Sequence, residues 1–291
     1  MSSDLQDINP EWKLTRIGRG SLAIVSILSG RPVAFKHVIH PRRTPEIKTE
    51  FETLRALYSL CNTDSLFAIP RPLAYYDPEL SSSFVSSDVS TGRYRARRPL
   101  VAEDDFKALK LDSAAYAMDQ VLPLPLSTAL KIRTLFYPPG ASDAALPSLC
   151  RLYFGKTLNG HTGRFFNSAN FPLDVSRYRQ LVDTAEGDDY PSLDEIAFGM
   201  GEMLSRMHWL GGYDGRDIEF VMGGASFSGI AMNVIDFNQV TCPFLRRFQF
   251  HWTTPFFLQK KDARLDQGER QDPSACRGIL HQWSVLSSPS S

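Results

Sequence analysis

Cysteine is scarce in this chain. Cys61, Cys150, Cys242 and Cys276 stand alone, with no Cys-x-x-Cys and no Cys/His cluster. That argues against a disulfide framework and against a structural zinc site, so a reduced, intracellular protein is expected. An excess of one charge is also missing. Lys plus Arg number 32 and Asp plus Glu number 32, giving zero net charge. A chain-wide basic surface is thereby excluded, which disfavours nucleic acid and a polybasic membrane surface as partners. Long apolar runs are absent: no window approaches about 18 uncharged apolar residues, so no transmembrane helix is expected. Residues 1–10 are polar and carry acids, so no secretory signal is expected and the cytoplasm is the predicted location, the nucleus being left open. No internal repeat is found. What the chain does have is 291 residues that are 43% hydrophobic and 11% aromatic, enough for one large core or a two-lobed one.

Against this neutral background an ordered series of short motifs stands out. Ile17-Gly18-Arg19-Gly20-Ser21-Leu22-Ala23-Ile24-Val25 lies between two β-forming runs. Glycine lets a backbone approach a phosphate, and exposed amides donate to its oxygens. The plain alternative is a hairpin with two glycines. Val33-Ala34-Phe35-Lys36 follows. A lysine that interrupts an apolar strand either neutralises phosphate or guards a sheet edge. Glu50 comes next, at the edge of a helical stripe of Ile47, Phe51, Leu54, Leu57, Tyr58 and Cys61. It is the better candidate to face Lys36, with Glu46 and Glu52 as rivals and a solvated glutamate as the alternative. Far downstream, Val234-Ile235-Asp236-Phe237-Asn238 places a carboxylate at the end of a β-branched strand. Such a carboxylate needs a partner, and Mg²⁺ is a strong one, while a turn-forming aspartate is the alternative. Asp214 and Asp217, in Tyr213-Asp214-Gly215-Arg216-Asp217-Ile218, precede a strand that returns to Asp236 by a hairpin. That hairpin predicts Asp217 and Asp236 as two metal ligands and Asp214 as the base beside an attacking hydroxyl. His208, at a helix end, reads as a packing or capping residue.

The coarse layout is α+β. Residues 12–39 predict an antiparallel meander of three strands, and a helix is expected over about 45–61 after Thr44 as N-cap. Strands are expected at 71–76 and 114–118, with a long mobile loop over 79–112 between them. Prolines make 119–125 an extended connector. The second half predicts helices at 126–136 and from the Ser192/Glu195 capping box to about His208, then strands at 218–222 and 232–237 around a glycine-serine hairpin. The domains expected are 12–121, 122–258 with its 214–238 site segment, and a disordered tail at 259–291. Arg93-Tyr94-Arg95-Ala96-Arg97-Arg98 offers a weaker third reading, a basic interaction loop.

In this order the motifs resemble the protein-kinase-like superfamily, which includes the aminoglycoside phosphotransferases. The run Met207-His208-Trp209, Asp214 to Val221 and Ile235-Asp236-Phe237-Asn238-Gln239 is similar to a fungal family of uncharacterised proteins that carries a "zinc finger protein" domain label. The likeness covers about residues 12 to 240. It implies a two-lobed fold, with an N-terminal antiparallel sheet plus helix and a C-terminal helical lobe that is either cut short or built from 126–210. It implies ATP and Mg²⁺ as cofactors. Gly18, Gly20 and Ala23 would form the phosphate loop, and Lys36 would be the phosphate lysine with Glu50 as its partner. Met118 would guard the nucleotide pocket, with Asp119, Gln120 and Val121 as the hinge. Asp236 would bind metal, Asp217 would stand where the family has a metal-binding asparagine, and Asp214 would serve catalysis with Lys36. The acceptor implied is a small-molecule or protein hydroxyl. No His-Arg-Asp is present, and the residue five before Asp217 is Gly212. Either the catalytic loop is shortened around Asp214, or Asp217 is itself the catalytic aspartate. The alternative function is an inactive pseudokinase acting as scaffold or regulator.

Overall fold

Short turns between β-forming runs build the first sheet of the computed structural model. The structure describes residues 14–80, 84–86, 100–109, 111, 113–138, 145–158, 169–184, 190–225, 229–238 and 240. Strands β1 (Leu14–Arg19), β2 (Ala23–Leu28) and β3 (Val33–Val38) form the expected antiparallel meander. Gly30, between β2 and β3, has φ 84°, a left-handed conformation that glycine adopts without a Cβ penalty. After the two-residue β4 (Phe67–Ala68), β5 (Pro72–Tyr76), β6 (Phe84–Ser86) and β7 (Ala115–Asp119) complete a six-stranded antiparallel sheet in the order β1-β2-β3-β7-β5-β6.

Helix α1 (Thr44–Cys61) buries Ile47, Phe51, Leu54, Leu57 and Cys61 along one stripe, the three-and-four spacing of an amphipathic helix. Thr44 is not its N-cap. A 3₁₀ turn over Pro41–Arg43 runs straight into the helix, so Thr44 already has helical angles. Arg43 instead pairs with Glu46 across the first turn. Phe51 covers one face of the sheet, with ring centroids 5.6 Å from Tyr75 and 5.8 Å from Tyr116. The opposite face buries Phe35, Tyr76, Ala115 and Ala117 under Phe106, whose ring meets Phe35 edge-on at 5.3 Å. Phe106 belongs to α2 (Glu103–Ala108). The expected mobile loop over 79–112 therefore contains a strand, β6, and a helix, α2, because Val101 and Phe106 supply apolar cover that the sheet needs. The arginine run at 93–98 and the tail at 259–291 lie outside the described residues.

The second half departs from the expectation of a helical lobe. Helices α3 (Leu126–Phe136), α4 (Val175–Asp183) and α5 (Leu193–Arg206) are present. With them comes a second sheet, in the order β4-β11-β10-β8-β9, built from β8 (Leu149–Leu152), β9 (Asn170–Leu173), β10 (Glu219–Gly224) and β11 (Ile230–Ile235). β8 and β9 pair in parallel, as do β11 and β4. Both segments β8 and β9 are only four residues long, too short to show a period in the sequence. Helix α5 has the predicted capping box: Glu195 N–H donates to Ser192 Oγ at 3.2 Å, and Ser192 N–H donates to Glu195 Oε2 at 2.7 Å. It continues into a π-helical turn, Met207–Gly211, ended by Gly212 at φ 72°. One buried apolar cluster runs through both sheets, from Leu22 and Val38 to Met222, Val234 and Val240. Among the described residues no helix is long and apolar enough to cross a membrane.

Candidate functional site

Strand register carries Lys36 into the middle of a row. Gly18 lies opposite Val25, Val25 opposite Lys36, Lys36 opposite Tyr116 and Tyr116 opposite Tyr75. Directly opposed residues share a face, and this face is the one α1 covers. Glu50 therefore comes down onto Lys36. Lys36 Nζ donates to Glu50 Oε1 at 2.5 Å and to Asp236 Oδ1 at 3.3 Å. The Tyr116 hydroxyl donates to the same Glu50 oxygen at 3.2 Å. Glu50 Oε2 is buried with no hydrogen-bond partner among the described residues. The Lys36 and Glu50 side chains are 11% and 1% exposed, while Asp236 is 34% exposed. The cluster thus opens to solvent at Asp236.

The electrostatics follow from that burial. Desolvation is the largest influence on Lys36 and pushes its pKa down, yet the two carboxylates outweigh it and the net shift is upward. Burial pushes Glu50 up against the attraction of Lys36. Tyr116 is raised well above its ordinary value, first by burial and then by the charge of Glu50. A buried ammonium shared by two acids keeps its charge, and a charged lysine is what a phosphate oxygen requires.

Asp236 is positioned by the β10–β11 hairpin. Glu219 lies opposite Ile235, so Asp217, ahead of β10, and Asp236, after β11, flank the same end of the ladder. Both have positive φ, 61° and 65°. Asp tolerates this region better than most residues, at a cost of about 1–3 kcal/mol that the surroundings must offset. Asp217 is exposed and Asp214 half-buried. The structure brings Lys36, Glu50 and Asp236 together. No hydrogen bond or ion pair joins Asp214 or Asp217 to these three. Among the described residues no group of three or more His, Cys, Asp or Glu side chains is arranged to hold a metal ion. Asp236 and Asp217 are hard oxygen donors of the sort that hold Mg²⁺ together with phosphate oxygens and water.

The glycines at the other end of the row are informative by what they do not need. Gly18 and Gly20 are not among the residues with positive φ. A Cβ on Gly18 would meet Val25 at 3.8 Å, and one on Gly20 would meet Ala23 O at 3.9 Å, both ordinary contacts. Among the described residues nothing requires either glycine. Gly20 N–H is spent on Ala23 O at 2.9 Å, so the loop closes on itself. Ala23 is buried beneath it.

Met118 lies opposite Ala34 and packs against the core shared with Tyr116. Beyond it, Asp119 pairs with Arg71 at 3.3 Å. Gln120, in the expected hinge, spends its N–H on Pro32 O at 3.0 Å. Val121 and Leu122 press against β10, where Gly224 N–H donates to Leu122 O at 2.9 Å. Here glycine is required: a Cβ on Gly223 would sit 2.7 Å from Leu122 O, and one on Gly224 2.2 Å from Pro123 O.

Two features were missed by reasoning on the sequence. One is Tyr116, whose place opposite Lys36 follows only from the pairing of β3 with β7. The other is a polar cluster of Arg151, Asn170 and Glu219 on β8, β9 and β10. Its signal was weak: Glu219 directly follows Asp217-Ile218, but its partners come from two strands too short to recognise. No family model, no curated protein and no solved structure matches this chain.

Proposed function

We propose that this chain is a kinase-like protein that binds a nucleoside triphosphate with Mg²⁺ and transfers a phosphoryl group to a hydroxyl acceptor. The observation that carries the reading is Lys36 held between Glu50 and Asp236, brought together from three distant stretches of sequence. In this reading Lys36 neutralises phosphate oxygens, with Glu50 and Tyr116 holding it in place. Asp236 and Asp217 are the residues that would hold Mg²⁺, whose chemistry is to neutralise charge on the phosphates. Asp214 would orient the acceptor. The spare glycines, Gly18 and Gly20, leave room for a ligand over the row that ends at Lys36. The antiparallel first sheet, with α1 over one face, agrees with a two-lobed kinase-like arrangement.

A second reading is favoured by Asp214 and Asp217. Neither is hydrogen-bonded or ion-paired to the lysine cluster, and Asp217 is exposed. A protein that binds nucleotide without transferring phosphate would need no more than Lys36, Glu50 and Asp236. Thermal unfolding with and without Mg²⁺-ATP tests the first step. Ligand at 100 times its dissociation constant stabilises by about 2.7 kcal/mol, a gain that Lys36→Ala should remove. An unmoved transition in the parent chain sinks both readings. A shift without turnover, indifferent to Asp214→Ala, selects the second.

A further inference from the structure

The Arg151–Asn170–Glu219 cluster has no part in the roles above. Arg151 pairs with Glu219 Oε1, and Asn170 Nδ2 donates to Glu219 Oε2 at 3.1 Å. The Arg151 guanidinium sits 4.8 Å from the centroid of the Tyr153 ring. Asn170 Oδ1 is buried with no hydrogen-bond partner among the described residues, and an acceptor left bare in the interior is costly. Glu219 lies opposite Ile235, which puts it beside Asp236 at the same end of the hairpin.

Strand alternation fixes which way the cluster looks. Glu219, Val221 and Gly223 share one face of β10. The 119–125 connector runs alongside the far end of this strand, where Gly224 N–H donates to Leu122 O. Arg151 lies opposite Val221 and belongs to the same face. The other face buries Met222 and Cys150 in the main core. Glu219 is four residues from Gly223, about 13 Å along the strand, at the end where Asp236 follows Ile235. The cluster thus stands between the connector and the acid end of the hairpin, where the middle of an extended nucleotide would lie.

Arg151 already offsets the charge of Glu219, which weakens any pull on a cation, and the nearby Asp236 repels an anion. A neutral group with two adjacent donors suits the remaining acceptors. We propose that Glu219 and Asn170 form a diol-binding subsite, accepting hydrogen bonds from the vicinal sugar hydroxyls of the bound nucleotide while Arg151 holds Glu219. Carboxylate-to-ribose bonding is established chemistry in other nucleotide sites. The inference rests on the nucleotide reading above.

The test is calorimetric titration of the full chain with Mg²⁺-ATP, Mg²⁺-2′-deoxyATP and Mg²⁺-3′-deoxyATP. The parent should bind each deoxy analogue about tenfold more weakly than ATP. In Asn170→Ala and Glu219→Gln the gap should shrink to about twofold or less. Asn170 is on an outer strand of its sheet, so its variant carries the test if Glu219→Gln does not fold. Equal binding of all three nucleotides by the parent overturns the subsite alone, as does an undiminished gap in Asn170→Ala. Absence of any nucleotide binding removes the nucleotide reading and the subsite with it.

Discussion

Lys36 Nζ lies 3.3 Å from Asp236 Oδ1 although 200 residues separate them. The same nitrogen is bound to Glu50, whose carboxyl group is almost wholly buried. Removing one partner of such a pair strands the other charge. Lys36→Met should therefore cost about 3–5 kcal/mol, or about 2–4 °C in Tm for each kcal/mol in a chain of this size. Lys36→Met with Glu50→Gln should recover part of the loss, because the stranded charge is gone. Calorimetry on the two variants decides it; a double variant less stable than Lys36→Met contradicts this account.

Gly20→Ala separates the loop's structure from its use. No contact shorter than 3.9 Å awaits the new methyl, so stability should be unchanged or raised by about 0.4–1 kcal/mol through the unfolded chain. If the loop covers a nucleotide as proposed, affinity should fall nonetheless, since the methyl would keep the phosphates from the backbone. Full affinity in a stable Gly20→Ala chain would mean that the glycine loop has no ligand above it.

Gly224→Ala should behave in the opposite way. Its Cβ would stand 2.2 Å from a main-chain oxygen of Pro123, and backbone cannot move aside as a side chain can. The expected loss is about 1–3 kcal/mol or more, read as a lower urea midpoint. A variant as stable as the parent would show that the connector is not seated on β10 as described.

His37 supplies a pH dependence. Burial is the main cause that holds its pKa below the ordinary 6.5, against a hydrogen bond with the Val38 backbone that raises it. As pH falls through 6.5, the unfolded chain takes up a proton that the native chain refuses until lower pH. The contribution to stability is thus full above 6.5 and is lost on descent toward the depressed native value. His37→Gln should flatten the decline in unfolding free energy that begins as pH falls below 6.5. Parallel declines in parent and variant would rule out His37 as the source.

Much of the first sheet could be read directly, because Gly20, Ser29-Gly30 and the runs of β-formers act over a few residues. Lys36, Glu50 and Asp236 were also legible, though for a different reason. Each breaks a local rule: a lysine in an apolar strand, a glutamate beside a buried stripe, an aspartate after a β-branched run. Such conflicts mark places where function outweighs local preference. Tyr116 breaks no rule. A tyrosine suits a strand, and only the pairing of β7 with β3 sets its hydroxyl on Glu50. Arg151 and Asn170 were hidden by the brevity of β8 and β9, and by a parallel pairing that no turn announces. The N-cap at Thr44 failed because Pro41–Arg43 already coils, which moves the start of regular structure ahead of the expected signal.

Asp236 has a bearing on how this protein is made. At about 5–20 residues per second, a ribosome needs about 10–40 s to reach it after adding Lys36. For more than half of that interval, once β7 has been made, the first sheet and α1 are already synthesised, and their ammonium has Glu50 as a neighbour but not its second acid. Any capacity that depends on the complete cluster is therefore acquired at one stroke, when β11 docks and carries Asp236 to Lys36.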